Sequence, residues 1–452
     1  MAEGATNKKK RRKFLKTAGV GAGILMAGCL SNQSGETSGG TSGETSGGTS
    51  GGQQSSLRFW SKETESQRVN TINELANSFD STSVETNFVA EQEMPKELSS
   101  ARTTGNLPHV YQATASTQTK LYHDEFADIE ANTAVLNEIG EDRFVNNALE
   151  FVRESEDGKY YAIPHNAFVL MVWYRNDWFE EEGLKPPSTW DRILKAAKTF
   201  NDQDNNKYGI SLGTDKSIYT RVTFTPFAKA NEAEVFNQKG EVIFDSEKMI
   251  ESLDFYGNKL GEYTPPSKQS WTGARKTYES GQSSMTVWPS YMMDTIIDAG
   301  LVEQSSMQPF IKKERESTFG RVLGLQITKA TGNKDSKKKL ANYFIGSDPW
   351  EPYIKWLHLA PGGMQPLVKE TYSRDDWKDN DLYNEWGSEA FDTVRQAADN
   401  IQSFGTIGGS TIAAYGPIKS RLLITEAVVR VIENEDPEAV AKDVAEKMRE
   451  FV

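Results

Sequence analysis

The sequence predicts an α/β fold in which helices cover a parallel sheet, and its length predicts two domains. Leu57–Trp60 predicts a short first strand, apolar residues from Val69 to Phe79 recur at helical spacing, and residues 84–88 alternate as in a second strand. This strand–helix–strand order is typical of parallel sheets. Residues 168–174 form a nearly continuous apolar run, as expected for a strand buried on both faces. From residue 57 onward the chain is too long for one hydrophobic core, so we expect two domains.

The remaining elements follow in order along the chain. A strand at residues 109–112 ends in a polar loop. After the buried strand, a short helix ends at Gly183, and Ser188 with Asp191 resembles a capping box that starts a longer helix. Further predicted elements are a strand and loop at 284–291, a strand at 319–328, a helix at 337–344 and a last helix capped by Asp436.

The first 29 residues resemble an export signal with a lipid-attachment site. A basic block precedes an apolar run at residues 18–30, which falls short of the roughly 20 residues that span a bilayer. Arg11 and Arg12, followed by Phe-Leu-Lys, resemble a twin-arginine export signal. Met26-Ala27-Gly28-Cys29 resembles a lipobox, although Met26 stands where Leu, Val or Ile is usual. Cys29 is the only cysteine, so it has no internal disulfide partner, and we expect it to be a lipid anchor.

Residues 30–56 predict a disordered tether. From residue 31 onward they form an imperfect repeat of Thr-Ser-Gly units without apolar residues, and such a segment cannot form a core. The mean reach of a Gly/Ser linker of this length is roughly 25–30 Å. That reach suits a tether that holds a globular body clear of a membrane.

The net charge excludes one class of partner. The formal charge is −13 at pH 7, and removal of residues 1–28, which carry seven Lys or Arg and one Glu, leaves about −19. A body this acidic is repelled by nucleic-acid phosphates and by anionic lipid headgroups. We therefore expect no nucleic-acid partner and a soluble extracellular domain.

The sequence lacks the usual signatures of metal and catalytic sites. None of the four histidines is paired at metal-ligand spacing, and the CxxC, Gly-x-Ser-x-Gly and phosphate-loop patterns are absent. We therefore expect no metal, no cofactor and no catalytic residue.

Aromatic residues at predicted strand ends and in loops indicate sugar binding instead. Sugars have apolar faces that stack on aromatic rings and hydroxyls that need polar partners. Any single aromatic residue is more often a packing residue than a ligand contact. The candidates are Trp60, Trp288, Tyr291, Trp386 and Tyr415.

Residues 161–191 resemble the family-1 extracellular solute-binding proteins of ABC importers, the group that includes maltose-binding protein. The block has Tyr-Ala-Ile-Pro-His-Asn at 161–166, the buried strand, Tyr-Arg-Asn-Asp-Trp-Phe at 174–179, Gly-Leu at 183–184 and Pro-Ser-Thr-Trp-Asp at 187–191. The family typically shows Gly-Ile-Pro, a strand, Tyr-Asn-Lys-Asp-Leu-Phe, Gly-Leu and Pro-x-Thr-Trp-Asp/Glu. Arg175 and Asn176 depart from this pattern. Weaker matches extend the likeness over nearly all of residues 57–452.

The resemblance implies a two-lobed α/β clamshell of the periplasmic-binding-protein type II kind, with a multi-strand hinge. It places residues 57–165 and 318–366 in lobe 1, and residues 166–317 and 367–452 in lobe 2. The chain would cross between the lobes near Pro164, near residues 310–320 and near residues 362–367.

The implied function is binding without turnover. A monomer would capture a small-molecule sugar between its lobes, close on it and deliver it to the transmembrane subunits of an ABC permease. With Cys29 lipidated, it would lie at the extracellular face of the cytoplasmic membrane, as in Gram-positive and archaeal members.

The resemblance also implies ligand-binding residues. Tyr291 stands where the family's stacking tryptophan often lies, with Trp288 three residues earlier. His165 and Asn166 stand where family members often place polar ligand contacts, although His165 fits a backbone hydrogen bond nearly as well. The rest of the predicted set is Trp60, Gln112, Ser116, Gln118, Arg321, Trp386 and Tyr415.

Alternatives remain for the ligand and for the class of protein. A different solute, namely glycerol phosphate, a polyamine or ferric iron, would keep the fold and the binding role. An anchored extracellular glycoside hydrolase would need two carboxylates that face the cleft at a fixed separation, and residues 161–191 do not supply them. A structural surface-layer role would leave that block unexplained.

Overall fold

The computed structural model describes residues 56–115, 118, 126–154, 158–346, 348–407 and 410–452. Residues 54–452 form one compact unit. The strands are β1 (Leu57–Ser61), β2 (Val84–Phe88), β3 (Val110–Thr114), β4 (Ile163–Arg175), β5 (Met285–Pro289), β6 (Ser305–Gln308), β7 (Ile311–Lys312), β8 (Glu316–Ile327), β9 (Gln365–Pro366), β10 (Ile401–Gln402), β11 (Thr406–Ile407) and β12 (Ser410–Thr411).

Helices separate most of the strands. They are α1 (Ser66–Asn77), α2 (Met94–Thr103), α3 (Ile129–Ile139), α4 (Asn146–Glu150), α5 (Asn176–Glu181), α6 (Trp190–Thr199), α7 (Ile218–Ala230), α8 (Glu247–Asp254), α9 (Trp271–Glu279), α10 (Met292–Ala299), α11 (Lys334–Ile345), α12 (Glu351–Leu357), α13 (Asp375–Lys378), α14 (Asp381–Asp399, broken at Gly387), α15 (Tyr415–Ser420), α16 (Leu423–Ile432) and α17 (Pro437–Arg449). None of the helices in the described ranges is long and apolar enough to cross a membrane.

The main sheet has the strand order β2-β1-β3-β8-β4-β5. The pairs β1/β2 and β1/β3 are parallel, as predicted from the first strand–helix–strand unit. The pairs β3/β8, β8/β4 and β4/β5 are antiparallel, so the expectation of a parallel sheet is wrong for this half. The directions of strands more than a hundred residues apart depend on long-range packing, which local patterns do not reveal.

Strand β4 is shared by two hydrophobic cores. Leu170, Val172 and Tyr174 pack in a second core with α6 to α8, α16 and α17, whereas Met171 and Trp173 pack in the first core. Successive side chains of a strand point to opposite faces, which produces this alternation. The prediction that this strand is buried on both faces is confirmed.

The predicted helix ends need one correction. The N-cap of α6 is Thr189, whose hydroxyl accepts a hydrogen bond from the Arg192 amide, and not Ser188. The predicted cap of the last helix is confirmed, because Asp436 accepts a hydrogen bond from the Ala439 amide at 2.8 Å. Both caps satisfy amide groups that have no partner within the helix.

The predicted crossings near Pro164 and near residues 362–367 lie side by side, because Asn166 and Ala167 of β4 pair with Pro366 and Gln365 of β9. The same two residues pair with Leu323 and Val322 of β8, just beyond the predicted crossing near residues 310–320. The lobe limits drawn from the sequence stay a prediction. The helices α13 and α14, assigned there to lobe 2, pack in the first core, since Trp386 packs against Trp173 of β4.

Candidate functional site

A cavity of about 740 Å³ lies between the two cores and is called here the central cavity. Its lining includes Val169 and Val322 of the first core and Val222, Phe319 and Tyr415 of the second. Small-molecule sites in proteins are clefts of comparable volume, with mostly apolar walls and a few polar groups that orient the ligand. The central cavity has this composition.

Aromatic rings form one part of its lining. Trp271, at the start of α9, and Trp288, near the end of β5, meet edge to face with centroids 5.9 Å apart, and the Trp288 indole nitrogen donates to the Trp271 carbonyl at 2.9 Å. Tyr291 stacks on Phe168 at 5.0 Å. Each of these rings combines an apolar face with fixed orientation, as stacking on a sugar requires.

Two glycines make room for the tyrosines of the cavity. A Cβ atom on Gly363 would lie 2.1 Å from Cε1 of Tyr291, and one on Gly405 would lie 2.3 Å from ring atoms of Tyr415. Gly405 also has a φ of +88°, which L residues rarely adopt. The positions of both tyrosine rings therefore depend on the absence of a side chain at the facing residue.

Three charged residues from the β1–α1 region form the Glu63 cluster: Lys62, Glu63 and Arg68. The Glu63 carboxylate is buried and lies 2.9 Å from the Lys62 ammonium and 2.7 Å from the Arg68 guanidinium. Burial alone would raise the pKa of Glu63, but the two cations hold it below its usual value. One carboxylate thus balances both cations on this wall.

Tyr291 shares the cavity lining with Arg68. Burial raises the pKa of Tyr291 to about 12, although the Arg68 charge opposes the shift. Tyr291 is therefore a neutral phenol at physiological pH.

Three further cations that line the cavity, Arg221, Arg321 and Lys419, form the Arg221 cluster. Arg221 lies on α7 and is only 4% exposed. Its Nη1 donates to the Tyr415 hydroxyl at 3.2 Å, and its guanidinium lies 5.8 Å from the Phe319 ring centroid. Its Nε is buried, and none of the described residues supplies a hydrogen-bond acceptor for it.

The cations of this cluster act on one another. Arg321 is on β8, directly opposite Phe168 of β4. Burial first, and then the charges of Arg221 and Arg321, lower the pKa of Lys419 to about 8, against the opposing charge of Glu91. Among the residues that the structure describes, no ion pair joins Arg221 or Arg321 to a carboxylate.

Four predicted residues lie in the cavity lining: Trp288, Tyr291, Arg321 and Tyr415. Ser116, Cys29, Arg11 and Arg12 lie outside the described residues. Ligand contact by any of these residues stays a prediction.

Other predicted residues lie outside the lining because the fold uses them for packing. Trp60 packs on a small cluster around Val89 and Met94. The buried side-chain oxygen of Gln112 accepts from the Ser61 hydroxyl at 3.1 Å, and the Gln118 amide nitrogen donates to the Gly324 carbonyl at 3.1 Å. Trp386 donates to the Met293 carbonyl at 3.2 Å.

His165 and Asn166 are also fully buried away from the cavity. Nδ1 of His165 lies 2.7 Å from the Asn166 side-chain amide, and Nε2 lies 3.1 Å from the Phe344 carbonyl oxygen. Burial lowers the pKa of His165 to about 4. His165 thus lies within hydrogen-bond distance of a backbone carbonyl, which is the alternative to ligand contact that the sequence left open.

The sequence reasoning missed Arg68, Arg221, Trp271 and Lys419. Arg221 had a usable signal, because it interrupts a largely apolar helical stretch at residues 218–230. Arg68 and Lys419 lie in polar stretches of the sequence, so no sequence pattern set them apart. In the described ranges, no cluster of three or more His, Cys, Asp or Glu residues could hold a metal ion.

Comparison with known proteins decides the family. A family model described as bacterial extracellular solute-binding protein matches residues 65–349, which is more than half of the chain. The chain belongs to this family. The putative ABC transporter periplasmic-binding protein YcjN of Escherichia coli K12 is 26% identical over 385 residues, or 83% of this chain and 87% of that protein. The chain is thus a solute-binding protein of the ABC-transporter type, a class found in the periplasm or outside the cell.

Solved structures agree on the fold. The sugar-binding protein MalE of Xanthomonas citri matches with a TM-score of 0.71 at 13% identity, over 88% of this chain and 97% of that chain. A solute-binding protein of Thermotoga lettingae, bound with α-D-tagatose, matches with a TM-score of 0.65 at 20% identity, over 88% and 99%. The predicted fold class, an α/β fold of the type II periplasmic-binding-protein kind, is confirmed.

Proposed function

We propose that this chain captures a sugar or short oligosaccharide in the central cavity and delivers it to the transmembrane subunits of an ABC permease. The observation that carries the proposal is the set of rings Trp271, Trp288 and Tyr291 in a cavity of small-molecule size. Such rings bind the apolar faces of sugars. The names of relatives and structural neighbours support a polyol or sugar, since they include mannitol-, maltotriose- and arabinooligosaccharide-binding proteins and complexes with tagatose and ribitol.

Capture proceeds by closure of two lobes. We assign residues 57–165 and 318–366 to lobe 1 and residues 166–317 and 367–452 to lobe 2, except for α13 and α14, which pack in the first core, with β4, β8 and β9 as the hinge. A solute that contacts both lobes stabilises the closed form, which the permease recognises.

Delivery requires that the protein stay at the membrane. Export through Arg11 and Arg12 and lipidation of Cys29 would leave the body of this monomer on a tether at the extracellular face. In cells that make the full chain, Cys29→Ala releases the protein into the medium, whereas replacing both arginines with lysine keeps it inside. Retention of Cys29→Ala at the membrane would refute the anchor.

The alternatives have less support. The relatives are binding proteins, and the described lining of the cavity contains one carboxylate, Glu91, whereas glycoside hydrolysis needs two. The cations of the lining disfavour polyamines and ferric iron, because like charges repel.

The experiment is thermal unfolding of the full chain against neutral sugars, polyols, acidic sugars, glycerol phosphate, spermidine and ferric citrate. A solute at 100 times its Kd adds about 2.7 kcal/mol and raises Tm by a few degrees. A response to a sugar or polyol without product in a parallel chromatographic assay supports the proposal. A response to spermidine or iron alone, or cleavage of a sugar, refutes it.

A further inference from the structure

The described part of the lining of the central cavity carries net positive charge, whereas the whole chain carries net negative charge. The chain carries −13, yet the described lining contains five cationic side chains and one carboxylate, Glu91. The cations are Lys62, Arg68, Arg221, Arg321 and Lys419. A concave site lined by one sign of charge concentrates ligands of the other sign.

The fold neutralises some of these cations but not all. Lys62 and Arg68 share the buried Glu63 carboxylate. Arg221 has a neutral hydroxyl, that of Tyr415, and an aromatic ring as its partners. Arg321 and Arg221 form no ion pair within the described part of the chain.

Arg221 is the more informative of the two arginines, because it is 96% buried and lines the cavity. A lysine in such a place sheds its proton, but a guanidinium stays charged at any pH that a protein survives. A buried charge without a counter-charge is strongly unfavourable. The buried Nε, which has no partner among the described residues, is a donor without an acceptor at the same place.

We propose that the solute is an acidic carbohydrate, a sugar or polyol that carries one carboxylate or phosphate group. Arg221 binds the oxyanion through its guanidinium, and Arg321 and Lys419 add charge beside it. The carbon frame of the solute lies on Trp288 and Tyr291. This inference rests on the proposed function, because it specifies the solute of the same cavity.

The geometry of an arginine suits this role. Its planar guanidinium presents parallel N–H groups that match the two oxygens of a carboxylate or phosphate. A neutral sugar would leave the guanidinium without a counter-charge. An acidic sugar therefore gains affinity over its neutral parent through a contact that only the anion makes.

The test is calorimetric titration of the full chain with matched pairs of solutes. The pairs are galacturonate and galactose, gluconate and glucitol, and glycerol 3-phosphate and glycerol, with inorganic phosphate as the bare anion. One charge-assisted hydrogen-bond pair is worth about 10- to 100-fold in affinity, so at least one acidic member should bind tighter than its neutral parent by about that factor. The carboxylate and phosphate arms identify which oxyanion is preferred.

Variants locate the effect. Arg221→Gln should lower the affinity for the acidic solute by about 10- to 100-fold and leave that for the neutral parent within about twofold. Arg321→Gln should lower the ratio of acidic-solute affinity to neutral-parent affinity by a smaller factor. Because Arg321 is exposed, this variant does not disturb the buried part of the site. Arg395→Gln, at a partly exposed position of α14 that is paired with Asp399, is the control that removes one positive charge outside the cavity.

Each outcome decides the inference. An acidic solute that binds more tightly than its parent, with the ratio lowered in both cavity variants, supports it. Tighter or equal binding of the neutral parents overturns the inference and leaves the proposed function intact. Affinity for inorganic phosphate equal to that for the acidic sugars also overturns it, because the carbon frame would then contribute nothing. Absence of binding by every sugar and polyol overturns both.

Discussion

The central cavity has two groups of cations that the fold treats differently. In the Glu63 cluster, one buried carboxylate lies within 2.9 Å of Lys62 and within 2.7 Å of Arg68. In the Arg221 cluster, the partners of the buried Arg221 guanidinium within the described residues are the Tyr415 hydroxyl and the Phe319 ring, and Arg321, like Arg221, forms no ion pair there. The comparison suggests two roles for a buried cation. A cation paired with a carboxylate of the protein stabilises the fold, whereas a cation without such a carboxylate can pair with an anionic ligand.

Loss of the shared carboxylate should have the largest effect on stability. Glu63→Gln removes the buried carboxylate that Lys62 and Arg68 share and leaves Arg68 with the exposed Glu65, so we expect the free energy of unfolding of the full chain to fall by about 3 kcal/mol in urea. The fold holds the pKa of Glu63 below its usual value. The ionised carboxylate therefore stabilises the protein fully at a pH above the usual glutamate pKa, and this stability is lost as the pH falls through the lowered pKa of the folded state.

Glu65→Gln is the matched control for that variant. Glu65 lies 3.2 Å from the same Arg68, but its side chain is 66% exposed, so we expect a loss of less than about 0.5 kcal/mol. Equal losses in the two variants would show that the Glu63 cluster has no special role in stability.

The aromatic residues of the lining should contribute equally to the affinity for acidic and for neutral solutes, whereas the Arg221 cluster should favour acidic ones. Trp288→Ala removes a ring from the cavity and should weaken binding of acidic and neutral solutes by about the same factor, roughly 10- to 30-fold. Trp386→Ala, which removes a ring outside the lining, should leave affinity unchanged. A selective loss for acidic solutes in Trp288→Ala would contradict this division of roles.

The pH dependence of binding should follow the Arg221 cluster. The pKa of Lys419 is lowered to about 8 by burial and by Arg221 and Arg321, with Glu91 opposing. A bound anion favours the charged ammonium and raises that pKa, so binding takes up a proton above about pH 8 and none below it. Affinity for an acidic solute should be level near pH 7 and fall by up to about tenfold per pH unit above about pH 8.

Calorimetry in buffers of different ionisation enthalpy measures this proton uptake. In Lys419→Met the affinity should no longer change between about pH 7 and 9, because the titrating group is gone. The same pH dependence in Lys419→Met and in the unaltered chain would assign the proton to another group.

Removal of Arg221 should affect the stability of the solute-free protein much less than removal of Glu63. Arg221→Met replaces an uncompensated buried charge with an apolar side chain of similar length, so that stability in urea should change by less than about 1 kcal/mol or rise. A loss as large as that of Glu63→Gln would show that Arg221 is part of the architecture after all.

The sequence predicted most of the fold, and two of its predicted aromatic binding residues lie near the end of β5 in the cavity lining. Local patterns identified β4 and the Asp436 cap, whereas the family resemblance indicated Tyr291 and Trp288. The sequence did not predict the antiparallel centre of the sheet, because pairing between distant strands leaves no local pattern.

The charged part of the site could not be predicted either. Whether an arginine is balanced depends on which carboxylates the tertiary structure brings close to it. Arg68 has Glu63 five residues away as a partner, whereas Arg221 has no carboxylate from any part of the described chain. Conversely, His165 and Asn166 have side chains that could bind a ligand, but in the structure they are buried and contact each other, and His165 also contacts the Phe344 carbonyl.

The most direct test of the account is a crystal structure of the protein in complex with the acidic sugar that binds best. The account predicts the sugar in the central cavity, with its oxyanion at about 2.7–3.0 Å from the guanidinium of Arg221 and its ring on Trp288 or Tyr291. A sugar bound elsewhere, or bound in the cavity with its acidic group directed away from Arg221 into solvent, would contradict it.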